Sequence, residues 1–432
     1  MMKRLRPWLL VGALSLYCLP GKVLASVEVD LLLDKLVQKG VLSRQEASEL
    51  RSEIAEYKDA GNKQLAKEIL PEHVRNWTWR GDIRLRDEIR NRVGTGTDNH
   101  RQRIRFRYGF EGKVNDQLKV AARIATGSTT DPISTNQSFD TFFTKKTIVL
   151  DVANAVYTPE VPGLDKVELV GGIMEGPLWT VTPMVWDGDL SWDGAALRLS
   201  KKVTPGLSLF TNSGAFSLDT DETEAASLWI VQGGASVKPF DSAGSDVLRN
   251  LKLTAALAYH DYRNTANSAS AGTDPLTREA DNTTNAHDFN QLNASTELAS
   301  QVAGYPVALF GDWVHNASVQ GGKNAENDNG FAIGLKVGKA ATPFWSVADG
   351  LNLKSGWEGG YFYERLEQDA AFDEFVDSDF GGGGTNRKGH IWWVTLATLK
   401  NSTLGFKYFT SEEIKGAKAG ENRAQIDWVT KF

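Results

Sequence analysis

A single cysteine, Cys18, stands in 432 residues, and it falls within the apolar run that opens the chain. Tyr17 precedes it where a lipid-anchored leader would need a small residue, so no lipid anchor is read here. A chain that loses this leader is cysteine-free, which fits an exported protein stabilised by something other than disulfides. Beyond the opening, no segment offers the roughly 18 or more uninterrupted apolar residues of a membrane helix, so helices are excluded as spans while strands are not. Basic residues are outnumbered, 48 against 54 acidic, for a formal charge of -6. That balance argues against nucleic acid as a partner. No serine, Ser26 and Ser295 included, sits in a recognisable nucleophile motif, and His315 with Asn316 is the nearest approach to catalytic partners. Asp377, Asp379 and Gly381 make a fragment of a calcium loop without its ligand set, so that stretch reads as a solvated external loop. Neither an enzyme, nor a metal site, nor a cofactor is expected.

What is present begins with Lys3, Arg4 and Arg6 before the apolar run Trp8 to Leu19, then Val23, Leu24 and Ala25 before Ser26. This is the pattern of a secretory signal peptide over 1–25. Its removal takes four basic residues and moves the charge from -6 to -10. Over 26–72 the period becomes helical. Leu32, Leu33, Leu36 and Val37 share a face, Gly40 is placed to end the helix, and Ser43 with Glu46 forms a capping box for a second helix carrying Ala47, Leu50, Ile54 and Tyr57. This helical, coiled-coil-like segment is either a trimerising or cell-wall-facing element or a hairpin packed at a barrel mouth. Pro71 marks its end.

From Trp77 the period becomes two. Trp77, Trp79, Ile83, Leu85 and Ile89 alternate with Thr78, Arg80, Asp82, Arg84, Arg86 and Glu88, and Ile104, Phe106, Tyr108 and Phe110 alternate with Arg103, Arg105, Arg107 and Glu111. A strand with a fully charged face cannot lie in a dry core, because each unpaired buried charge is costly. Sixteen such strands are predicted, near 77–89, 103–114, 118–127, 147–157, 166–174, 193–202, 207–216, 225–238, 250–262, 288–300, 305–316, 329–339, 351–364, 389–398, 403–411 and 422–432. Short and long connections nearly alternate between them. The last strand alternates from Ala424 through Trp428 to Phe432 and leaves its backbone unpaired unless the first strand covers it. An all-β membrane protein, an antiparallel transmembrane barrel over 73–432, follows.

This ending resembles that of outer-membrane porins, whose final strand alternates and closes on a C-terminal Phe. The chain further resembles the bacterial putative porins over essentially all of its mature length: Leu169 to Met174 followed by Pro177, Trp186 to Gly194, and Glu367 to Phe372 leading through Asp377 to Thr385 and Lys388 to His390. Gly172 departs from it, standing where an arginine is expected. The resemblance implies diffusion of small hydrophilic solutes and ions across the outer membrane of a Gram-negative cell. Outer-membrane lipid and the assembly machinery are the partners, a homotrimer is the expected assembly, and the N-terminal segment faces the periplasm.

By parity, Arg80, Arg84, Arg86, Arg103, Arg105, Arg107 and Arg123 share the inner wall of adjacent strands. Such a wall attracts anions, unless Asp82, Glu88 and Glu111 on the same wall neutralise it. The third external loop, 175–192, is the candidate constriction, with Glu175, Asp187 and Asp189 beside Trp179, Trp186 and Trp192, and Asp193 at its end. Acids there would set a transverse field against the arginines. The alternative is a surface loop whose tryptophans pack on the rim. Trp357, Tyr361, Tyr363 and Trp392 form either a lipid-side girdle or a sugar track within a substrate-specific channel for sugars or organic anions.

Overall fold

A computed structural model describes residues 76–432 except 94–97, 141, 221–224, 241–243, 266–288, 319–326, 347–349 and 417–418, together with Val37. The chain divides into two units, 1–75 and 76–432, and the second is the one treated below. The expected signal peptide and helical segment lie outside the described residues, Val37 excepted.

Among the described residues sixteen long strands close a ring. They are β1 (Trp77–Val93), β2 (Asn99–Lys113), β3 (Leu118–Thr126), β4 (Ile148–Tyr157), β5 (Lys166–Glu175), β6 (Ser191–Thr204), β7 (Leu207–Ser217), β8 (Ser227–Val237), β9 (Lys252–Arg263), β10 (Asn290–Val302), β11 (Tyr305–Asn316), β12 (Asn329–Ala340), β13 (Gly356–Leu366), β14 (Arg387–Leu399), β15 (Ser402–Glu413) and β16 (Gly420–Lys431). Each pairs antiparallel with its sequence neighbour, and β16 pairs with β1 from Asp82 opposite Lys431 to Val93 opposite Gly420. Closure leaves no free edge. A two-residue strand, Gln137–Ser138, hangs from β2, and a small pair of strands, Trp345–Ser346 with Gly350–Leu351, lies in the connection between β12 and β13, which the sequence already shows as longer than a barrel turn prefers. The connection between β8 and β9, also long, holds a helical turn, Asp246–Arg249.

The seam is sealed by the terminal residue. Gly81 N–H donates to the Phe432 carbonyl at 2.8 Å and Phe432 N–H donates back at 3.0 Å. The Phe432 ring lies over Gly81, where a Cβ would come within 2.7 Å of it, and 6.2 Å from the Tyr108 ring. Glycine is needed at that crossing.

Burial is inverted relative to a water-soluble protein. Leu85, Ile89, Ile333 and Trp428 are exposed, whereas Asp82, Arg86, Glu88, Arg105 and Arg423 are buried. Charge cannot be enclosed by an apolar exterior unless that exterior faces lipid. Trp357, Tyr361, Tyr363 and Trp392 lie on the outward parity, opposite the inward Gly360, Phe362 and Glu364, so they form an outer aromatic patch and no lumenal track. Within the long-loop half, an apolar cluster packs inside the barrel. Met184, Val185 and Trp186 pack with Trp192, Phe216, Tyr262 and Phe375.

Lysine at Ile104 or Phe106 should therefore abolish assembly, since a cation at the bilayer midplane costs about 2–4 kcal/mol. Lysine at Ala121, on the lumen side, should assemble. The heat-dependent shift of the folded band in detergent reads both, and equal behaviour of the two sets would contradict the assigned faces.

Candidate functional site

Strands β16, β1 and β2 carry the arginine wall because two cross-strand registers place like parities together. Arg84 lies opposite Arg105 and Arg86 opposite Arg103 across β1 and β2, while Asp427 faces Arg86 and Arg423 faces Arg90 across β1 and β16. Unscreened, such a stack would repel itself. Each level is instead met by carboxylates.

Asp82 accepts from Arg105 Nε at 3.0 Å and from Arg107 Nε at 2.8 Å. Asp427 takes Arg86 in a fork, 2.7 and 2.8 Å, of the kind that fixes guanidinium orientation. Glu88 accepts from Arg101 Nε at 2.6 Å, and Glu421 accepts from Arg90 Nη2 at 2.7 Å and Arg423 Nε at 2.9 Å. Partial neutralisation by the wall's own acids is thus found for Asp82 and Glu88. Glu111 lies away from the stack, 3.6 Å from Lys119.

Three loops supply the rest. The third external loop, 176–190, crosses the lumen. Its Trp179 exchanges hydrogen bonds with Gln232 of β8 at 2.9 Å each, and Thr182 Oγ1 donates to Asp312 of β11 at 2.8 Å. Its far end delivers Asp189 to the wall, 3.4 Å from Arg105, 3.8 Å from Arg107 and 3.9 Å from Arg84. Burial pushes the Asp189 carboxyl up, but Arg84 and Arg105 more than offset this and hold it below the usual carboxylate range. The loop 127–147 contributes Ser134 and Asn136, which accept from Arg103 and Arg84; Arg84 Nη2 reaches Asn136 Oδ1 at 2.6 Å.

The loop 367–386 is the departure from expectation. It is no solvated external loop: Ala370, Ala371, Val376 and Phe380 are buried, and Asp379 sits on the wall. Its carboxylate accepts from Arg86 Nη1 at 3.0 Å, Arg423 Nη1 at 3.3 Å and Gln425 Nε2 at 2.8 Å. Asp187 N–H donates to Phe375 O at 2.7 Å, and Ser378 N–H donates to Asp187 Oδ2 at 2.8 Å, so the two inward loops are bonded to each other. Gly381 to Gly384 run at φ between 64° and 99°, a turn that only glycines make without strain.

The remaining expected residues fall elsewhere. Arg80 lies on the inner face but below the stack, and Arg123 pairs with Asp151 at 2.5 Å and with Glu175. Glu175 is thus at the strand end and not over the arginines. Asp187 faces Asp377 and the loop backbone. Asp193 is exposed on the parity opposite buried Trp192, because the strand starts at Ser191, so it is no part of a constriction. At Gly172, φ is +117° and a Cβ would strike the Ala153 carbonyl oxygen, which explains why no arginine stands there. His315 and Ser295 lie on opposite faces of the wall, and Ser295 donates to Asp312, so they assemble no triad. Among the described residues no cluster could hold a metal. Arg90, Arg101 and Arg423 belong to the stack as well, and their parity with Arg86 and Arg103 was the available signal.

The family model described as putative porin matches residues 89–298 and 271–432, together nearly the whole barrel. The chain belongs to the putative porin family. Its fold is shared with OprB of Pseudomonas putida in its high-pH structure, at a TM-score of 0.52 and 13% identity over 83% of this chain and 94% of that one. OmpF of Salmonella typhi in complex with daunomycin aligns at 0.47 and 10% over 82% and 97%. The outer membrane channel DcaP of Acinetobacter baumannii aligns at 0.44 and 12% over 82% and 97%. Comparison with curated proteins found no match. The family and the barrel make this an outer-membrane porin channel, and they point to a channel and not to an enzyme.

The junction of the two inward loops is pH-sensitive. Burial, then Asp379, pushes Asp377 up to about 6, and burial with Asp377 and Asp189 raises Asp187. A docked Asp377 stays protonated where a free aspartate is ionised, so its own contribution to docking is present at low pH and is lost as pH rises from the ordinary value of 3.8 through about 6, whereas Asp189 and Asp379, held low by the arginines, favour docking as long as they stay ionised. Asp377→Asn should therefore raise the protease resistance of residues 367–386 at pH 8 and leave it unchanged at pH 4. The opposite pattern would show that the carboxylate stabilises the junction.

Proposed function

We propose that the barrel is a water-filled channel through which small hydrophilic solutes diffuse passively, with a preference for anions set by the arginine wall and the acids on the loop facing it. The observation that carries this is the residue of positive charge after pairing. Among the described residues Arg103 bonds only Ser134 and Asn136, and Arg84 bonds Asn136 with Asp189 no nearer than 3.9 Å. Fixed charge at a narrow, low-dielectric passage biases which ions enter. Asp189 and Asp379 against the arginines give a field across the lumen. The reading places the protein in the outer membrane of a Gram-negative cell as a homotrimer, inserted by the outer-membrane assembly machinery, with the N-terminal segment in the periplasm.

A second reading, a substrate-specific channel for sugars or organic anions, draws support from the two loops that cross the lumen. A narrow path favours one solute class over another, and a specific channel would show currents that saturate with that solute.

Replacing Arg84 and Arg103 together by Gln should lower the chloride-to-potassium permeability ratio measured from reversal potentials in a salt gradient. The change should fade between 0.1 and 1 M salt, where the Debye length falls from about 10 to 3 Å. An unchanged ratio at low salt would show that these arginines do not set selectivity.

A further inference from the structure

Below the stack, toward the short-turn end, the inner faces of β1 to β6 enclose a recess of about 350 Å³ that opens to the lumen. Its charged lining is Arg80, Lys119, Arg123 and Arg198 against Glu111, Glu168 and Glu175. The acids are all engaged. Glu111 lies 3.6 Å from Lys119, Glu175 holds Arg123, and Glu168 holds Lys166 at 2.8 Å. Arg123 is doubly held, by Asp151 also.

Two guanidinium groups of the recess are left over among the described residues. Arg198 lies directly opposite Glu168 across β5 and β6, yet that carboxylate has turned to Lys166. Arg198 Nε is buried and has no hydrogen-bond partner among the described residues. Arg80 is exposed to the lumen opposite Gly109, which offers no side chain. A buried donor without an acceptor costs about 1–3 kcal/mol, more when charged, so a group in this state is poised to accept an anion. In the upper stack Arg84 Nε and Arg103 Nε are likewise without a partner among the described residues, but those guanidinium groups are bonded through Nη2 to Asn136 and Ser134, and Arg86, Arg105 and Arg423 are bonded to carboxylates. The recess, by contrast, has room for a small oxyanion with water, since one water occupies about 30 Å³. Four residues along β1 separate Arg80 from Arg84, about 13 Å at the strand rise, so an anion passing the stack meets the recess about one Debye length on.

We propose that this recess is a binding station for small oxyanions, carboxylate- or phosphate-bearing solutes, with Arg80 and Arg198 as the groups that meet the anion. It rests on the anion-channel reading above and extends it from selectivity among ions to retention of a solute class. The planar guanidinium suits two-oxygen contacts with such groups, which chloride cannot make. Solutes bearing oxyanions should therefore dwell here while chloride passes.

The test uses inorganic phosphate as the probe on the assembled full-length channel in planar bilayers. Phosphate should reduce the chloride current with saturation in the wild type, and in the double variant Arg80→Gln, Arg198→Gln the half-blocking concentration should rise at least about tenfold. A heat-dependent band shift confirms that the variant has assembled. As a second readout, phosphate should raise the unfolding temperature of the detergent-solubilised wild-type barrel and not that of the double variant, because a ligand stabilises the state it binds. Absence of block in the wild type, or an equal half-blocking concentration in both, overturns the station. A wild-type channel without chloride preference whose phosphate block still depends on Arg80 and Arg198 overturns the anion-preference reading alone and supports the station.

Discussion

A buried guanidinium has to have a counter-charge, and the interior of this barrel is arranged around that requirement. Removing one partner of a buried ion pair costs about 3–5 kcal/mol, because the survivor is left charged in a poor solvent. Arginines on three adjacent strands multiply the demand. The strands' own acids, Asp82, Glu88, Glu421 and Asp427, meet part of it. Asp189 and Asp379 meet more of it and come from loops, so those loops must lie inside the barrel. Electrostatics on the wall thus specifies loop placement, and loop placement sets what a solute encounters.

The apolar exterior and the charged interior are two consequences of one alternation. Because successive residues point to opposite faces, Leu85 cannot face outward unless Arg84 and Arg86 face inward. The closure that protects the strand edges also encloses the charges, and Phe432 over Gly81 joins the two ends of the same sheet. Polarity, closure and the positive wall are therefore not separable features of the sequence.

Much of this was legible from residues alone. Sixteen barrel strands were expected and sixteen long strands are found among the described residues, because strong period-two alternation depends only on local sequence. Boundaries slipped where charge continued past the alternating core: β1 runs on to Val93, four residues beyond the expected end. The start of β6 at Ser191 was missed by two residues, and Asp193 was assigned to the constriction although its parity sends it outward. The loop 367–386 was misread for a different reason. Acids and glycines between strands look solvated in sequence, and only the long-range partners Arg86, Arg423 and Gln425 reveal that Asp379 is bound inside. Arg80 and Arg123 were grouped with the stack because parity fixes a face but not a height along the barrel.

The measurement that bears most directly on this account is single-channel conductance after Asp189 and Asp379 are both changed to Asn. If the arginine wall holds the loops in the lumen through these carboxylates, the double variant should show a larger or more fluctuating conductance, with increased protease cleavage in 176–190 and 367–386. A conductance and cleavage pattern indistinguishable from wild type would mean that apolar packing around Trp186 and Phe375 holds the loops unaided, and that counter-charge on the wall does not organise the interior.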